Sequence, residues 1–262
     1  MLTLINLEQP QSWPAQLMLC LETNYEIFDG WERCDGSISG PRFDAAISEL
    51  AEAIKPYGMI GWHCTRLTDK EIESICRSGM QLPNQATLHA RVDALTLSGK
   101  ISNAIAERLK LENRVSDKNR AGMIWFCFFP PRIAGESGIG RLFRHWGGEA
   151  LYVCHERDSE TSPILSQIGV PCIIEANIPI ASLASNSWLP RKIARRYLIS
   201  CGLRTLEPTD HEDRIETPLA AEHVRRVIRY PEPDFIELTG CASWKVPVGQ
   251  RSPTGRESSE SD

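Results

Sequence analysis

Three polar residues, His63-Cys64-Thr65, directly follow the apolar run Met59-Ile60-Gly61-Trp62. An apolar run of this kind predicts a buried strand, with the polar residues at its end. A strand end holds side chains rigidly beside open backbone groups, and an imidazole both donates and accepts hydrogen bonds. We therefore expect the three residues to lie in a ligand-binding site.

A carboxylate that can act together with His63 comes much later in the chain. The stretch from His211 to Thr217 is predicted to be a strand, and it contains Glu212 and Glu216. Their even spacing puts both side chains on one face of that strand. A fixed carboxylate can stabilise a cationic transition state and deprotonate an incoming nucleophile. The run from Asp210 to Arg214 is equally typical of a solvated charged surface.

Two elements are expected to support these side chains. Thr68 and Gly79 have the residue types of a helix cap and a helix stop, and apolar side chains recur between them at helical spacing. Further along, the run from Met123 to Phe129 is too short and too aromatic for a helix. Because it is bounded by Gly122 and Pro130, it is predicted to be a buried strand.

The rest of the chain shows weaker patterns. Residues up to about Pro56 are predicted to be helical, with a loop from Gly36 to Pro41. The remaining predictions are a loop at Pro83 to Ala90, a helix at Val92 to Leu111 interrupted by Gly99, strands at Ala150 to Cys154 and Val170 to Pro179, a basic helix at Trp188 to Ile199, and a helix or turn at Ala220 to Val227.

Glycines from Gly135 to Gly140 suggest a phosphate-binding turn, but their spacing matches neither the dinucleotide fingerprint nor the P-loop. We therefore interpret this stretch as a flexible loop. Among the nearby arginines, Arg144 has apolar and aromatic neighbours that would hold it for a phosphate contact. Glu149 is interpreted as a surface charge at a strand edge.

Composition limits the class of protein. The 262 residues are 42% hydrophobic and 24% charged, which is typical of a globular fold, and the net charge of −5 gives no global attraction to nucleic acid. No apolar run reaches the length needed to span a bilayer, and no basic signal-peptide start is present. Nine scattered cysteines without a CxxC pair favour reduced thiols and no metal site. We expect a cytoplasmic protein with no membrane association, in which Cys127 and Cys172 pack as small hydrophobes.

The combined features resemble the ADP-ribosyltransferase superfamily, in which an early strand carries His-x-Thr and a late strand supplies a glutamate. The nearest resemblance is to the DarT-type toxins, which modify thymidine in DNA. Their aromatic strand also runs into a turn with Pro-Arg, as Phe128-Phe129-Pro130-Pro131-Arg132 does here. Their glutamate precedes an apolar-Pro-x-Glu-apolar segment, which Leu219 to Val224 resembles. This alignment assigns the catalytic role to Glu212, with Glu216 as its rival.

The resemblance implies an α/β (α+β) fold with a split, mostly antiparallel sheet, surrounding helices and a cleft for NAD as substrate. In that cleft His63 would bind a ribose hydroxyl, the backbone of Cys64 the nicotinamide amide, and Thr65 would orient His63. Trp125, Phe128 and Arg144 would supply a stacking wall and a phosphate contact. The tyrosine that many relatives carry in the aromatic strand is absent, and the helper arginine stays open among Arg91, Arg114 and Arg120.

Three regions follow from this interpretation: a helical N-terminal segment at 1–56, an ADP-ribosyltransferase-like catalytic domain at 57–245, and a disordered tail at 246–262. The implied function is transfer of ADP-ribose from NAD to DNA, RNA or protein by a bacterial toxin or phage-defence effector, restrained by an antitoxin protein. The alternatives are an NAD glycohydrolase and a catalytically inactive module that binds a nucleotide or a partner.

Overall fold

The centre of the fold is a ten-residue strand, β2 (Gly58–Leu67). The computed structural model describes residues 2–34, 36–184, 188–204 and 207–248. In these ranges the chain is an α+β protein whose helices surround a six-stranded, mostly antiparallel sheet. The predicted fold class is therefore confirmed at this coarse level. No helix in the described ranges is both long and apolar enough to cross a membrane.

Five other strands join β2 in the described part of the sheet. They are β1 (Leu4–Ile5), β3 (Ile124–Cys127), β4 (Val170–Pro179), β5 (Glu212–Ile215) and β6 (Val224–Arg229). The strand order is β5-β3-β2-β4-β6, and β1 runs parallel to the start of β2. All the other strand pairs are antiparallel.

The helices lie on both faces of this sheet. Those in the described ranges are α1 (Ala15–Thr23), α2 (Tyr25–Glu32), α3 (Gly40–Ile54), α4 (Asp69–Ser78), α5 (Gln85–Leu97), α6 (Asn103–Leu111), α7 (Gly135–Arg144), α8 (Glu149–His155), α9 (Thr161–Gln167), α10 (Leu189–Ser200) and α11 (Pro233–Thr239). One continuous apolar core joins α1, α3 and α10 to β2 and β4. The N-terminal helices therefore cover one face of the sheet. The other face is covered by α7 and α11, through Phe143 and Phe235.

Several sequence predictions agree with these bounds. The strand predicted at Val170 to Pro179 is β4, the aromatic run contains β3, and the basic helix is α10. The stretch from His211 to Thr217 contains β5. Gly99 does separate two helices, α5 and α6. In each case the apolar periodicity was long enough, or the flanking turn residues clear enough, to fix the type of element.

The strand end predicted at His63-Cys64-Thr65 is wrong, because β2 continues to Leu67. These residues lie within the strand, where their side chains alternate between the two faces of the sheet. The change from apolar to polar residues at His63 therefore reflects a change in the surroundings of β2 and not the end of the strand.

Four other local predictions are wrong. The loop predicted from Pro83 is helical from Gln85 onward, because the Asn84 side chain caps the backbone N–H of Thr87. The glycine loop at Gly135 is α7, and the strand at Ala150 to Cys154 is α8. The predicted helix or turn at Ala220 to Val227 is only a short 3₁₀ turn, followed by β6. Short apolar runs do not distinguish strand from helix by periodicity.

The predicted tail divides into two parts. Val248 is 3% exposed, and Val246 accepts a hydrogen bond from Arg144 at 2.9 Å, so the described start of this region packs against the fold. The prediction of disorder is wrong for these residues. Residues 249–262 lie outside the described ranges.

Helix α4 begins and ends as predicted. The Thr68 hydroxyl accepts from the Glu71 backbone N–H at 3.3 Å, and the Glu71 carboxylate accepts from the Thr68 N–H at 2.7 Å, which is a complete capping box. At the other end Gly79 has φ +78° and ψ −168°, a conformation that is essentially restricted to glycine. A Cβ there would lie 1.9 Å from the Leu219 carbonyl oxygen. The helix stop is therefore also a backbone crossing, at which Met80 pairs with Leu219.

We predict that Gly79→Ala lowers the free energy of unfolding by at least about 2 kcal/mol, because strain and a backbone clash act together. The matched control is Gly99→Ala, where φ is +70° but nothing lies within 4 Å of the added Cβ. Gly99→Ala should lower the free energy of unfolding by about 1 kcal/mol, from the strained backbone conformation alone. Urea unfolding followed by circular dichroism measures both losses. Equal losses would contradict the close crossing at Leu219.

Candidate functional site

The two edges of β2 are paired very differently. Strand β4 occupies one edge along the whole strand, in ten consecutive pairs from Gly58 to Leu67. The other edge carries β1 at Gly58 and Met59 and then β3 at a single pair, Trp62 with Cys127. From His63 to Leu67 this second edge has no strand partner among the described residues. The β3–β5 part of the sheet is therefore joined to the β2–β4–β6 part at one pair. We call the stretch of β2 beyond Trp62, where no strand is paired with this edge in the described chain, the gap.

His63 lies in this gap. Its Nδ1 is 2.9 Å from the Trp125 carbonyl oxygen, and its ring meets Phe126 edge-on at 6.0 Å. The His63 side chain thus links β2 to β3 at a point where no backbone pair joins the two strands. Burial lowers the pKa of His63, and the positive charge of Arg91 lowers it further, against the raising effect of the bond to Trp125. The neutral ring donates from Nδ1 to the carbonyl, which leaves Nε2 as an acceptor.

Arg91 is the arginine that the structure brings to His63. Its Nε donates to Glu71 at 2.6 Å, and its guanidinium lies over the Trp146 ring at 4.6 Å. Of the other two candidates, Arg120 forms ion pairs with Glu149 at 2.6 Å and with Asp117, and Arg114 is exposed. Of the three arginines that the sequence left open, Arg91 is therefore the one whose charge acts on His63.

Glu212 lies on the opposite face of the sheet from His63. It is paired directly with Cys127, which is paired with Trp62, the residue before His63. Directly opposite residues share a face and successive residues alternate, so Glu212, Cys127 and Trp62 form one row and His63 projects from the other side. Neighbouring strands are about 4.8 Å apart, which puts the Glu212 backbone roughly 10 Å from that of Trp62.

A pair of thiols lies beside Glu212. The Cys127 Sγ donates to Glu212 Oε1 at 3.7 Å. Contact with Cys127 and then burial raise the pKa of Cys64 well above its ordinary value, and the nearby Glu212 charge adds to this effect. The Cys64 side chain is therefore a protonated thiol and not a nucleophile. Cys172 is fully buried, as predicted, whereas Cys127 is only half-buried and belongs to this cluster.

The two candidate carboxylates differ in their surroundings. Glu212 is exposed, lies within β5 and borders a small hollow lined by Phe129, Ile133 and Ala134. Glu216 lies just beyond the end of β5, where it pairs with Arg214 at 3.2 Å. Glu212 is thus the carboxylate that is closer to the junction of the two parts of the sheet.

The other predicted site residues are scattered. Trp125 is 41% exposed, with the Arg214 guanidinium 5.2 Å from its ring, and only its backbone carbonyl meets His63. Phe128 is 3% exposed and packs on His211 in the main core. Arg144 is 8% exposed and bound to Glu136. Thr65 lies two residues from His63 on the same face of β2, where it makes no side-chain hydrogen bond to His63 among the described residues.

Sequence reasoning missed two groups. Glu71 and Trp146 hold Arg91, and the capping pattern Thr-x-x-Glu contained Glu71 without indicating this second role. On the other face, Glu175 is 6% exposed and accepts from the Trp62 indole N–H at 3.3 Å, from Arg225 at 3.0 Å and from Arg226 at 3.2 Å. The alternation of side chains along β4 could have assigned Glu175 to one face of the sheet. Its partners could not have been found in this way, because they are distant in sequence.

The fold and the site define this chain as an α+β protein with a mostly antiparallel sheet, in which β2 and β3 pair at one position of the described chain and a histidine lies next to that pair. No family model, no curated protein and no solved structure matches it.

We predict that Arg91→Gln raises the pKa of His63 toward its ordinary value of 6.5, because a positive charge that disfavours the imidazolium is removed. Proton NMR titration of the histidine resonances measures this shift, with His63→Gln to assign the signal. Arg120→Gln removes an arginine that pairs with Glu149 and serves as the control. An unchanged His63 titration in Arg91→Gln would contradict the proximity of the two side chains.

Proposed function

We propose that this chain binds NAD in the gap between β2 and β3 and transfers ADP-ribose to a macromolecular acceptor. The observation that carries the proposal is the single pair joining β2 to β3, because it leaves the edge from His63 to Leu67 without a strand partner in the described chain. The resemblance to ADP-ribosyltransferases implies a split sheet with an NAD cleft.

On this proposal, open backbone groups at Cys64 bind the nicotinamide amide. A ribose hydroxyl donates to His63 Nε2, the acceptor that the bond to Trp125 leaves available. Acidification removes this interaction, since protonated Nε2 can only donate. Because the pKa of His63 is lowered, the neutral form that the interaction needs predominates at neutral pH.

Arg91 is proposed to contact the pyrophosphate of NAD. Only its Nε is used by Glu71, so its two terminal nitrogens have no protein partner in the described chain. Guanidinium groups bind phosphate oxygens through such paired donors. Arg144, for which the sequence suggested this role, is neutralised by Glu136 and bound to the Val246 carbonyl.

Glu212 is proposed to serve the chemical step. The bond from C1′ of ribose to the nicotinamide nitrogen breaks, and nicotinamide leaves with the bonding electrons. The carboxylate stabilises the oxocarbenium-like transition state and takes the proton of the acceptor nucleophile as its new bond to C1′ forms. Because the strands separate beyond Trp62, a ligand in the gap meets His63 from one face and the Glu212 row from the other.

Such an activity consumes NAD and modifies a macromolecule, so we propose a toxin or phage-defence effector that needs a restraining antitoxin protein. Water as acceptor would make the same chemistry an NAD glycohydrolase. The exposure of Glu212 to solvent is the observation that favours this second candidate.

We predict that the protein consumes NAD labelled in its adenylate phosphate and leaves label on one of three pools offered together: DNA, RNA or protein. Glu212→Gln should reduce the rate by about 100-fold or more, since it removes a catalytic carboxylate. Glu216→Gln makes the same change of charge just outside β5, and its rate should stay close to that of the wild type.

Free ADP-ribose without labelled acceptor would select the glycohydrolase. Absence of NAD consumption by the wild-type protein, or full activity of Glu212→Gln, would overturn the proposed enzyme.

A further inference from the structure

The Glu71 carboxylate joins three parts of the chain beside the gap. It accepts from the Thr68 backbone N–H at 2.7 Å and from the Thr68 hydroxyl at 2.9 Å, both at the start of α4. It also accepts from Arg91 Nε of α5 at 2.6 Å and from the Trp146 indole N–H at 3.0 Å. The helix cap accounts for the two bonds from Thr68, so the bonds from Arg91 and Trp146 need another explanation.

Glu71 stays ionised in this position. Burial acts to raise the pKa of its carboxyl, but the charge of Arg91 and the hydrogen bonds from Thr68, Trp146 and Arg91 outweigh burial and hold the pKa below its ordinary value. Its side chain is 18% exposed and that of Arg91 is 36% exposed. The ion pair is therefore partly shielded from solvent, where a fixed geometry has more effect than at the surface.

The network fixes Arg91 in two directions. Glu71 holds Nε within the guanidinium plane, while the Trp146 ring, which is 0% exposed, supports one face of that plane. Trp146 is in turn held by its own bond to Glu71. A guanidinium fixed in plane and in tilt loses little entropy when its remaining donors bind a ligand.

We infer that Glu71 is a positioning residue, which aims the terminal nitrogens of Arg91 at an anionic part of the ligand in the gap. This inference rests on the proposed NAD site and adds to it a residue that does not touch the ligand. The competing explanation is a purely structural cap of α4. The two explanations differ in what the charge of Glu71 does, because glutamine also completes a capping box.

The experiment compares Glu71→Gln with Thr68→Ala in the full chain. Glu71→Gln keeps an amide oxygen for the Thr68 N–H and the Trp146 N–H but removes the charge that holds Arg91. Thr68→Ala removes the hydroxyl that caps the helix and donates to Glu71, but it leaves the Glu71 charge and the Arg91 ion pair in place. Calorimetric titration with NAD and thermal unfolding are measured for both variants and for wild type.

We expect Glu71→Gln to weaken NAD binding about tenfold or more, since a charge-assisted contact loses its alignment. It should also lower Tm, because the ionised carboxylate with its lowered pKa stabilises the fold. Thr68→Ala should lower Tm and leave NAD affinity within about twofold of wild type. In steady-state assays Glu71→Gln should raise KM and leave kcat nearly unchanged, because the interaction is with a remote part of the substrate.

A double-mutant cycle tests whether Glu71 affects NAD binding through Arg91. In an Arg91→Gln background, Glu71→Gln should weaken NAD binding no further, because the group it positions is gone. Additive losses, or equal NAD affinity of Glu71→Gln and wild type, would overturn the inference while leaving NAD binding intact. A wild-type protein that binds no NAD would instead overturn the proposed function, and the positioning role with it.

Discussion

One pair of residues joins the two parts of the sheet, and the geometry around the gap depends on it. Trp62 and Cys127 are the only residues at which β2 and β3 pair within the described chain. Gly61 permits this crossing, because a Cβ there would lie 3.1 Å from Phe126. Beyond the crossing the strands separate, so a side chain, His63, bonds to the Trp125 carbonyl in place of a backbone N–H. A fully paired β3 would have left neither the open edge nor room for the ring.

The crossing is held from both sides by a row of side chains on one face. Cys127 contacts Glu212 on the β5 side, and the Trp62 indole donates to Glu175 on the β4 side. A bulge between β4 and β6 turns two successive arginines, Arg225 and Arg226, toward that same carboxylate. Without the bulge they would point to opposite faces. Glu175 is therefore a satisfied buried charge that fixes Trp62, and through Trp62 the crossing itself.

Elements with strong local signals could be predicted from the sequence, whereas relations between strands could not. The capping box at Thr68 and the stop at Gly79 are encoded within α4 itself. Asn84 is also an N-cap residue type, but it has no Glu or Gln three residues later, and the first residues of α5, up to Ala90, are therefore predicted as a loop. The shared face of Glu212 and Glu216 follows from alternation within one strand. The opposite faces of His63 and Glu212 depend on the register of β2, β3 and β5, and no local pattern encodes that register.

That register changes how a ligand must lie if both residues act on it. Two groups on one face would suit a ligand that lies flat on the sheet, but His63 and Glu212 project from different faces and only the gap connects them. On the proposed function, an extended dinucleotide would pass between the strands and meet both residues, with its pyrophosphate near Arg91, whose charge acts on His63. Arg91 could not be chosen from the sequence, because Glu71 and Trp146, the residues that fix it, are brought to it only by the fold. The position of a single guanidinium thus depends on how the start of α4, the middle of α5 and the loop after α7 meet beside one strand edge.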